Sequence, residues 1–462
     1  MLPVTDQLYK TYSIIGTTQL LLYIDHIFLV CVNLKHLHCT IMDSRPTPSR
    51  LRVLVAGGGI GGLTAAIALR QQGHEVEVFE KSKLHRDIGA AVYVAPNCTA
   101  ALSHIDINPG DFGGVAYRGF KFLNAKCEVD AQWTFTEEES AKWPAEWWLV
   151  SRIDLHNALK QKAAAPDGPG VPVKIHTGLG ADSVDSETGS ISLTDGTTLT
   201  GDLIVCADGI HSKTRRSITG RDVPLFSSGQ ACYRWLVPTS ALAEDPVTKT
   251  FVDKPGHFVQ WAGSNRRVVF YPCASGTVIN CVAMLPRAEF GEIKRGLTGY
   301  DQSANKKELL SHFETFAPPV LRMLDKAPED NVKLWDLLDM ELQPSLIKGK
   351  ALLIGDAAHP FLPHLGQGAA QAIEDACALG AVLPLGTPAE EIPQRLELWQ
   401  HCRKDRAYKV VEYTRARGRD VEKEYGSPET MERFNTVMQY CINYDAWEHA
   451  EEQMKTWLEQ TV

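Results

Sequence analysis

The chain has 462 residues, of which 44% are hydrophobic and 22% charged, fractions that exclude a disordered or fibrous polymer and leave room for two or three domains. Asp and Glu number 56 against 47 Lys and Arg, a formal net charge of −9. That balance excludes nucleic acid as the main partner, because the excess needed to neutralise phosphates is missing.

The first fifty residues differ from the rest. Ile14 to Val32 is an apolar run long enough in principle to cross a bilayer, yet Asp25 and His26 sit in its middle, where ionisable groups are costly. It lacks a basic front and a small-residue cleavage site, so it makes a poor secretory signal. Met42 and a polar Ser-Arg-Pro-Thr-Pro-Ser stretch follow. The functional chain is expected to begin near Met42, with residues 1–41 a dispensable or wrongly assigned leader and residues 1–49 lying before the folded domains; the alternative is a membrane anchor through residues 14–32.

Leu51 to Ala56 reads as a buried parallel strand and runs straight into Gly57-Gly58-Gly59-Ile60-Gly61-Gly62. Gly57, Gly59 and Gly62 occupy the three positions of G-x-G-x-x-G, for a tight turn, close backbone approach to a pyrophosphate, and helix-on-strand packing. Leu63 to Gln72 is expected to be the helix whose N-terminus meets the phosphates, with Gly73 stopping it. Glu75 to Phe79 forms the next strand, and Glu80 follows, 18 residues after Gly62. A carboxylate there accepts hydrogen bonds from ribose hydroxyls, which favours an adenosine with a free 2′-hydroxyl, as in FAD or NAD.

Two distant segments narrow the choice. Leu203 to Ala207 is an apolar strand that delivers Asp208-Gly209 to a turn, with Arg215 and Arg216 beyond it. By itself this is also what an ordinary strand-to-turn Asp-Gly looks like. Ala351 to Ile354 is another buried strand, ending in Gly355-Asp356 and continuing through His359, His364 and the glycines Gly366 and Gly368 into an Ala-rich helix.

In this order the three motifs resemble the class A flavoprotein monooxygenases, the single-component aromatic hydroxylases. The similarity is greatest to fungal salicylate-hydroxylase-like enzymes, including those that dearomatise resorcinol-type polyketides, and it covers most of residues 50 to 450. The resemblance implies FAD extended along the first domain, with Glu80 at the adenosine ribose and Asp356 at the ribityl and phosphate region. Gly368 and Ala369 then approach the flavin ring with their backbone, where a helix N-terminus stabilises the anion of reduced flavin. Asp208 is associated in that family with both FAD and NAD(P)H. Arg152, in Ser151-Arg152-Ile153-Asp154-Leu155-His156, is similar to the arginine that contacts the flavin side chain. Tyr93 falls where the family offers a backbone contact, usually from Gly or Ala.

Phe258 to Trp261, Arg267 to Pro272 and Gly276 to Leu285 alternate with period two and are bounded by turn residues, the pattern of an antiparallel sheet. The resemblance makes this sheet a lid over the flavin, with Arg234 and Tyr271 matching an arginine–tyrosine pair that anchors a phenolate oxygen. From the residues alone, Arg234 could equally pair with a surface acid and Tyr271 sit in a core. Anchoring suits the implied chemistry: oxygen transfer from a flavin C4a-hydroperoxide requires an electron-rich carbon, and a cation beside a phenol lowers its pKa. His364 is a candidate general base or substrate hydrogen-bond partner, or a structural loop histidine; His359 reads as structural.

The fifteen histidines do not fall into metal-ligand spacing, and the eleven cysteines form no C-x-x-C pair. Arg403 to Arg419 reads as a solvated basic face, and Met431 to Trp447 as helical packing or dimer surface. The expected architecture is α/β: a discontinuous Rossmann-like FAD-binding domain (50–225 and 335–385), an antiparallel β-sheet substrate domain (226–334), and C-terminal helices (386–462). The expected activity is NAD(P)H- and O2-dependent hydroxylation of a small aromatic, phenolic substrate in the cytoplasm, in secondary metabolism or aromatic catabolism, by a possible homodimer. A flavin-dependent halogenase is an alternative, although its W-x-W-x-I-P element is missing; a non-catalytic flavin-binding protein is another.

Overall fold

The computed structural model describes residues 49–83, 91–263, 265–291, 302–329, 331–419 and 427–461. The Ile14–Val32 run and Met42 lie outside them. From β1 (Arg52–Ala56) the chain passes through the glycines into α1 (Ile60–Gln71) and β2 (Glu75–Glu80). After α2 (Arg152–Ala164), β3 (Lys174–Thr177) and β4 (Leu203–Cys206) come four long strands: β5 (Leu225–Pro238), β6 (His257–Gly263), β7 (Arg266–Cys273) and β8 (Val278–Pro286). Then follow β9 (Val332–Met340), β10 (Ala351–Leu353), α3 (Gly368–Val382), α4 (Ile392–Arg419), α5 (Pro428–Ile442) and α6 (Ala446–Thr461).

One sheet runs Ile347–Lys348, β10, β4, β1, β2, β3, parallel throughout except at the Ile347–Lys348 edge. Its central strand is apolar without alternation because helices cover both faces, and Val53 to Ala56 are fully buried. α1 starts at Ile60, three residues earlier than expected, because Gly61 and Gly62 pack inside it. α3 lies against it so closely that a Cβ on Gly380 would stand 2.8 Å from the Ala68 methyl.

The second sheet has eight strands in the order Gln302–Ala304, β9, β5, β8, β7, β6, Gly119–Asn124, Val129–Thr134. It is antiparallel as expected, with one correction: Gly119–Asn124 pairs parallel to β6, a geometry open to it because a long stretch of chain separates the two. Alternation divides the sheet into two faces. Tyr233, Trp235, Trp261, Phe270 and Cys281 face one core. Cys232, Val269, Tyr271, Val282 and Met284 face the other, together with Leu362 and Leu365 and with Val410, Cys441 and Ile442 of the C-terminal helices.

The basic run of α4 is not a solvated face. Arg403 is fully buried and meets Glu374 at 2.6 Å and Asp375 at 3.0 Å, while Arg406 donates to both oxygens of Glu374. The run turns inward because α3 presents two adjacent buried carboxylates with no solvent to compensate them. His359 stands 2.8 Å from Asp375, which also accepts the backbone N–H of Gly355 at 3.0 Å. Among the residues expected to pack, Cys441 and Ile442 join the inner sheet core and Trp447 joins the core of the parallel sheet; the helix breaks at Asn443–Asp445. All nine described cysteines are unpaired. Among the described residues no helix is long and apolar enough to cross a membrane.

Burial alone drives the Asp375 carboxyl up, but His359 and Arg403 outweigh it and hold the group at about 2, below the ordinary 3.8. A lowered folded-state pKa stabilises the fold above the ordinary value, and that contribution disappears as pH falls through the folded one. Unfolding free energy should therefore drop between about pH 4 and pH 2, and Asp375→Asn should flatten that slope. Arg403→Met removes the one guanidinium shared by both buried carboxylates, leaving Glu374 to Arg406 and Asp375 to His359, and should destabilise the protein by roughly 3 kcal/mol in denaturant unfolding; a loss below about 1 kcal/mol would contradict the network's role.

Candidate active site

Three chain segments meet at the ends of β1, β4 and β10. Gly57 has φ +106°, and a Cβ there would lie 2.3 Å from the Ala207 carbonyl oxygen, so the first loop and the Asp208 loop touch through backbone. A Cβ on Gly62 would fall 2.0 Å from the Gly57 oxygen, whereas one on Gly59 meets nothing within 4 Å. Two of the glycines are thus demanded by the protein itself, and the third leaves open room in front of the helix. α1 has no side-chain cap and no acidic residue in its first turn; α3 shares both features. By contrast α2 is capped by Ser151 and α5 by Ser427. Uncapped N–H groups beside open space are an anion site.

Glu80 accepts from the Gly58 N–H at 2.8 Å and from the Ser82 N–H at 2.7 Å, which fixes its carboxylate beside the glycine loop. His156 of α2 contacts the Gly58 carbonyl oxygen at 2.8 Å, locking that helix and its first residue, Arg152, to the same loop. Asp356 is exposed yet surrounded by protein. That crowding raises its carboxyl above the ordinary range against the opposing pull of His359, Arg152 and Arg215. An open glycine, two free helix N-termini, a ribose-competent carboxylate and an arginine near an acid fit an extended dinucleotide such as FAD. Glu80 would hold the adenosine ribose, the Gly57–Gly62 loop the pyrophosphate, Arg152 and Asp356 the ribityl side, and the Gly368–Ala369 backbone the flavin ring.

The side chains of Asp208 and Tyr93 meet the protein itself, which leaves the backbone contact expected of Tyr93 untouched. Asp208 points into its own loop, accepting from the N–H groups of Lys213 and Thr214 and from the Thr214 hydroxyl; it shapes the turn. Tyr93 turns its ring into an aromatic cluster, 4.9 Å from Tyr271 and 5.6 Å from Phe258, with its Cβ 3.1 Å from the Cβ position of Gly366. Its bulk wedges against the loop leading into α3.

Arg234 and Tyr271 lie on the same face of the second sheet, the one that meets the Leu362–Leu365 loop. The Arg234 guanidinium stacks over Trp335 with its carbon 4.4 Å from the ring centre and pairs with no surface acid among the described residues. The Tyr271 hydroxyl donates to the Ala91 carbonyl oxygen at 3.0 Å, and burial raises its pKa. His364 sits 3.4 Å from Arg267 through Nδ1. A guanidinium only donates, so Nδ1 accepts and the ring hydrogen is on Nε2. Burial, with Arg267 and Arg417, keeps the ring neutral. In this arrangement His364 offers an N–H donor; its basic lone pair is already engaged, which argues against a general base.

Arg215, which the sequence marks only as following the Asp-Gly turn, joins the second and third motifs. Nearly buried, it donates to the carbonyl oxygens of Ile210 at 2.9 Å, Ala357 at 2.8 Å and Asp356 at 3.2 Å. No spacing rule marks such a residue, because its partners are backbone atoms far away in sequence. One His–carboxylate cluster among the described residues, His104 with Asp445 and Glu448, is accounted for by the His104–Asp445 ion pair at 2.9 Å.

The glycines separate fold from ligand. Gly62→Ala should destabilise the flavin-free protein by about 1–3 kcal/mol or more. Gly59→Ala should change that stability by no more than about 1 kcal/mol while weakening FAD retention, read from thermal melts and bound-flavin absorbance. Equal effects of the two substitutions on the flavin-free melt would contradict the assignment.

Comparison with known proteins gives the family. A family profile described as an FAD binding domain matches residues 50–414. The chain is 34% identical over 369 residues to a hispidin-3-hydroxylase of Neonothopanus nambi, covering 77% of this chain and 86% of that protein. It is also 34% identical over 423 residues to the FAD-dependent monooxygenase cfoG of Aspergillus candidus, covering 88% and 95%. A salicylate hydroxylase solved as a substrate complex superposes with a TM-score of 0.71 at 24% identity, covering 88% of this chain and 98% of that one, a likeness of fold. With the family profile spanning most of the chain and these identities alongside it, the chain belongs to the FAD-dependent aromatic monooxygenases of the FAD-binding-domain family.

Proposed function

We propose that this monooxygenase hydroxylates a phenolic substrate held between the second sheet and the loop that leads into α3. The observation that carries this reading is that Arg234 and Tyr271 share the sheet face that meets that loop. FAD supplies hydride acceptance from NAD(P)H and activation of O2. The protein's own residues do the rest.

Arg234 presents a permanent cation stiffened by its stack on Trp335. Placed beside a phenol oxygen, it favours the ionised form, and a phenolate makes its ring carbons far more electron-rich. Tyr271 has one donor hydrogen, which the Ala91 carbonyl oxygen accepts. A phenolate is the stronger acceptor and competes for it, so the hydroxyl exchanges a backbone partner for the substrate. Held at two points, the ring presents one carbon to the reacting face. Trp147, Tyr93 and Phe258 form an apolar wall beside Tyr271, which keeps water from the site. Two neutral donors in the same face, the side-chain amides of Gln260 and Asn280, are buried and suit further substrate oxygens.

A panel of salicylates, resorcinols and indoles scored for substrate-stimulated NAD(P)H oxidation and product mass tests the reading, with phenols expected to stimulate and indoles not. Arg234→Ala and Tyr271→Phe should each lower turnover by roughly tenfold to hundredfold with FAD content unchanged. Loss of flavin from either variant would place these residues at the cofactor and overturn their assignment.

A further inference from the structure

The inward face of the second sheet carries more buried hydrogen-bond donors than the described residues satisfy. Arg267 is 2% exposed, yet among the described residues its Nε and Nη2 have no partner. Its one polar contact is the 3.4 Å approach of Nη1 to His364 Nδ1. His364 in turn directs its Nε2 hydrogen at nothing among the described residues. On the same face Gln260 Nε2, Asn280 Nδ2 and Arg234 Nε are also buried without a partner. Every one of these atoms donates; the nearby acceptor left over is Gln230 Oε1.

A buried guanidinium without a counter-charge is costly, and replacing such a group by an apolar one usually stabilises a fold. The environment shows the cost: burial alone draws the Arg267 guanidinium down to about 10 from its ordinary 12.5. No described carboxylate forms an ion pair with it, in contrast to Arg403, Arg406 and Arg415, each of which is matched by acid. Among the described residues this face lacks acceptor oxygen and negative charge, and a ligand can bring both.

We propose that Arg267, together with the Nε2–H of His364, is a subsite for an anionic oxygen of the substrate, a carboxylate or an ionised hydroxyl, separate from the phenol oxygen at Arg234 and Tyr271. The inference rests on the phenol reading above and sharpens it to an acidic, oxygen-rich aromatic. Pairing places Arg267 opposite Met284, and Met284 opposite Cys232, two residues before Arg234. Two strand spacings and two residues separate the cations by about 12 Å of backbone, a span that two long guanidinium side chains close to the dimensions of a substituted ring. No water-sized space lies between Gln230, Asn265, Arg267 and His364, so the anion reaches its donors as the long Arg267–His364 contact opens. Removal of the acidic group from a substrate then leaves these donors buried and unpaired, which is how such a site rejects neutral analogues.

The test uses the FAD-loaded full chain and follows the flavin absorbance change on binding 2,4-dihydroxybenzoate, 4-nitroresorcinol and resorcinol at mildly alkaline pH. The first probe carries a carboxylate, the second an ionised hydroxyl, the third neither. At least one acidic probe should bind roughly tenfold to hundredfold more tightly than resorcinol, and which one does so identifies the source of the anion. Arg267→Met should erase that preference while leaving resorcinol affinity and FAD content unchanged. Arg267→Lys should retain part of it. Relieved of the unpaired cation, Arg267→Met should also melt no lower than the parent without ligand. Should that variant not hold FAD, Arg267→Gln is read by the same criteria. A parent protein without preference, or a variant that keeps it, overturns the subsite. The two readings fail separately: NAD(P)H oxidation stimulated by resorcinol but indifferent to the acid group removes the Arg267 subsite alone. An acid preference in binding without stimulation by any phenol supports the subsite and removes the phenol reading.

Discussion

Two long helices of this chain begin with backbone N–H groups that no side chain caps, and the site is built around that deficit. α1 starts just past β1 and packs there against α3, where a Cβ on Gly61 would lie 3.3 Å from the Ala372 methyl, and the first turn of each helix is free of acid. Left alone, such helix ends are unfavourable; on the assignment proposed here, a pyrophosphate and the negative charge of a reduced flavin would satisfy them. The surrounding contacts keep them aimed. Glu80 clasps the Gly58 amide, His156 holds the Gly58 carbonyl, and Arg215 ties the Asp208 and Asp356 loops together through their carbonyl oxygens.

Beneath this receptor, the acids of α3 are neutralised from behind. Glu374 and Asp375 are completely buried and are met by Arg403, Arg406 and His359. Because Asp375 also accepts the Gly355 N–H, the ion network reaches the turn that carries Asp356. Rigid cofactor loops and the stability of the helical C-terminus are therefore one arrangement. Opposite lies a sheet of different character. One of its faces is sealed by aromatic and aliphatic side chains; the other combines apolar walls with donors and two guanidiniums that no described acid neutralises. The first face holds the sheet together. The second, on the proposal made here, receives the substrate.

Much of this was legible in the residues. Glycines at fixed spacing after an apolar strand, an acid after the next strand, and two further strand-to-loop motifs specify backbone geometry locally, and local geometry is what a sequence pattern encodes most directly. Period-two alternation likewise marked β6, β7 and β8 within a few residues. Pairings that join distant segments were not legible. Arg403 and Arg406 look like a solvated basic run until α3 supplies Glu374 and Asp375. Gly119–Asn124 gives no sign that it will pair parallel with β6. Arg267 reads as an ordinary strand residue, since its significance lies in a spatial fact, that no described acid pairs with it. Tyr93 and Asp208 stand at motif positions yet direct their side chains to the protein itself, toward an aromatic cluster and a turn.

The chain is an FAD-dependent aromatic monooxygenase, and on the proposal made here its loops, helix ends and sheet face serve one chemistry, oxygen-atom transfer from O2 to an aromatic ring. The most direct measurement is turnover under 18O2 with an acidic phenol and NAD(P)H, followed by product mass. One labelled oxygen atom is expected in the product for each NAD(P)H consumed by productive turnover. Product without label, or NAD(P)H oxidation that yields only hydrogen peroxide with every acidic phenol tried, would contradict it.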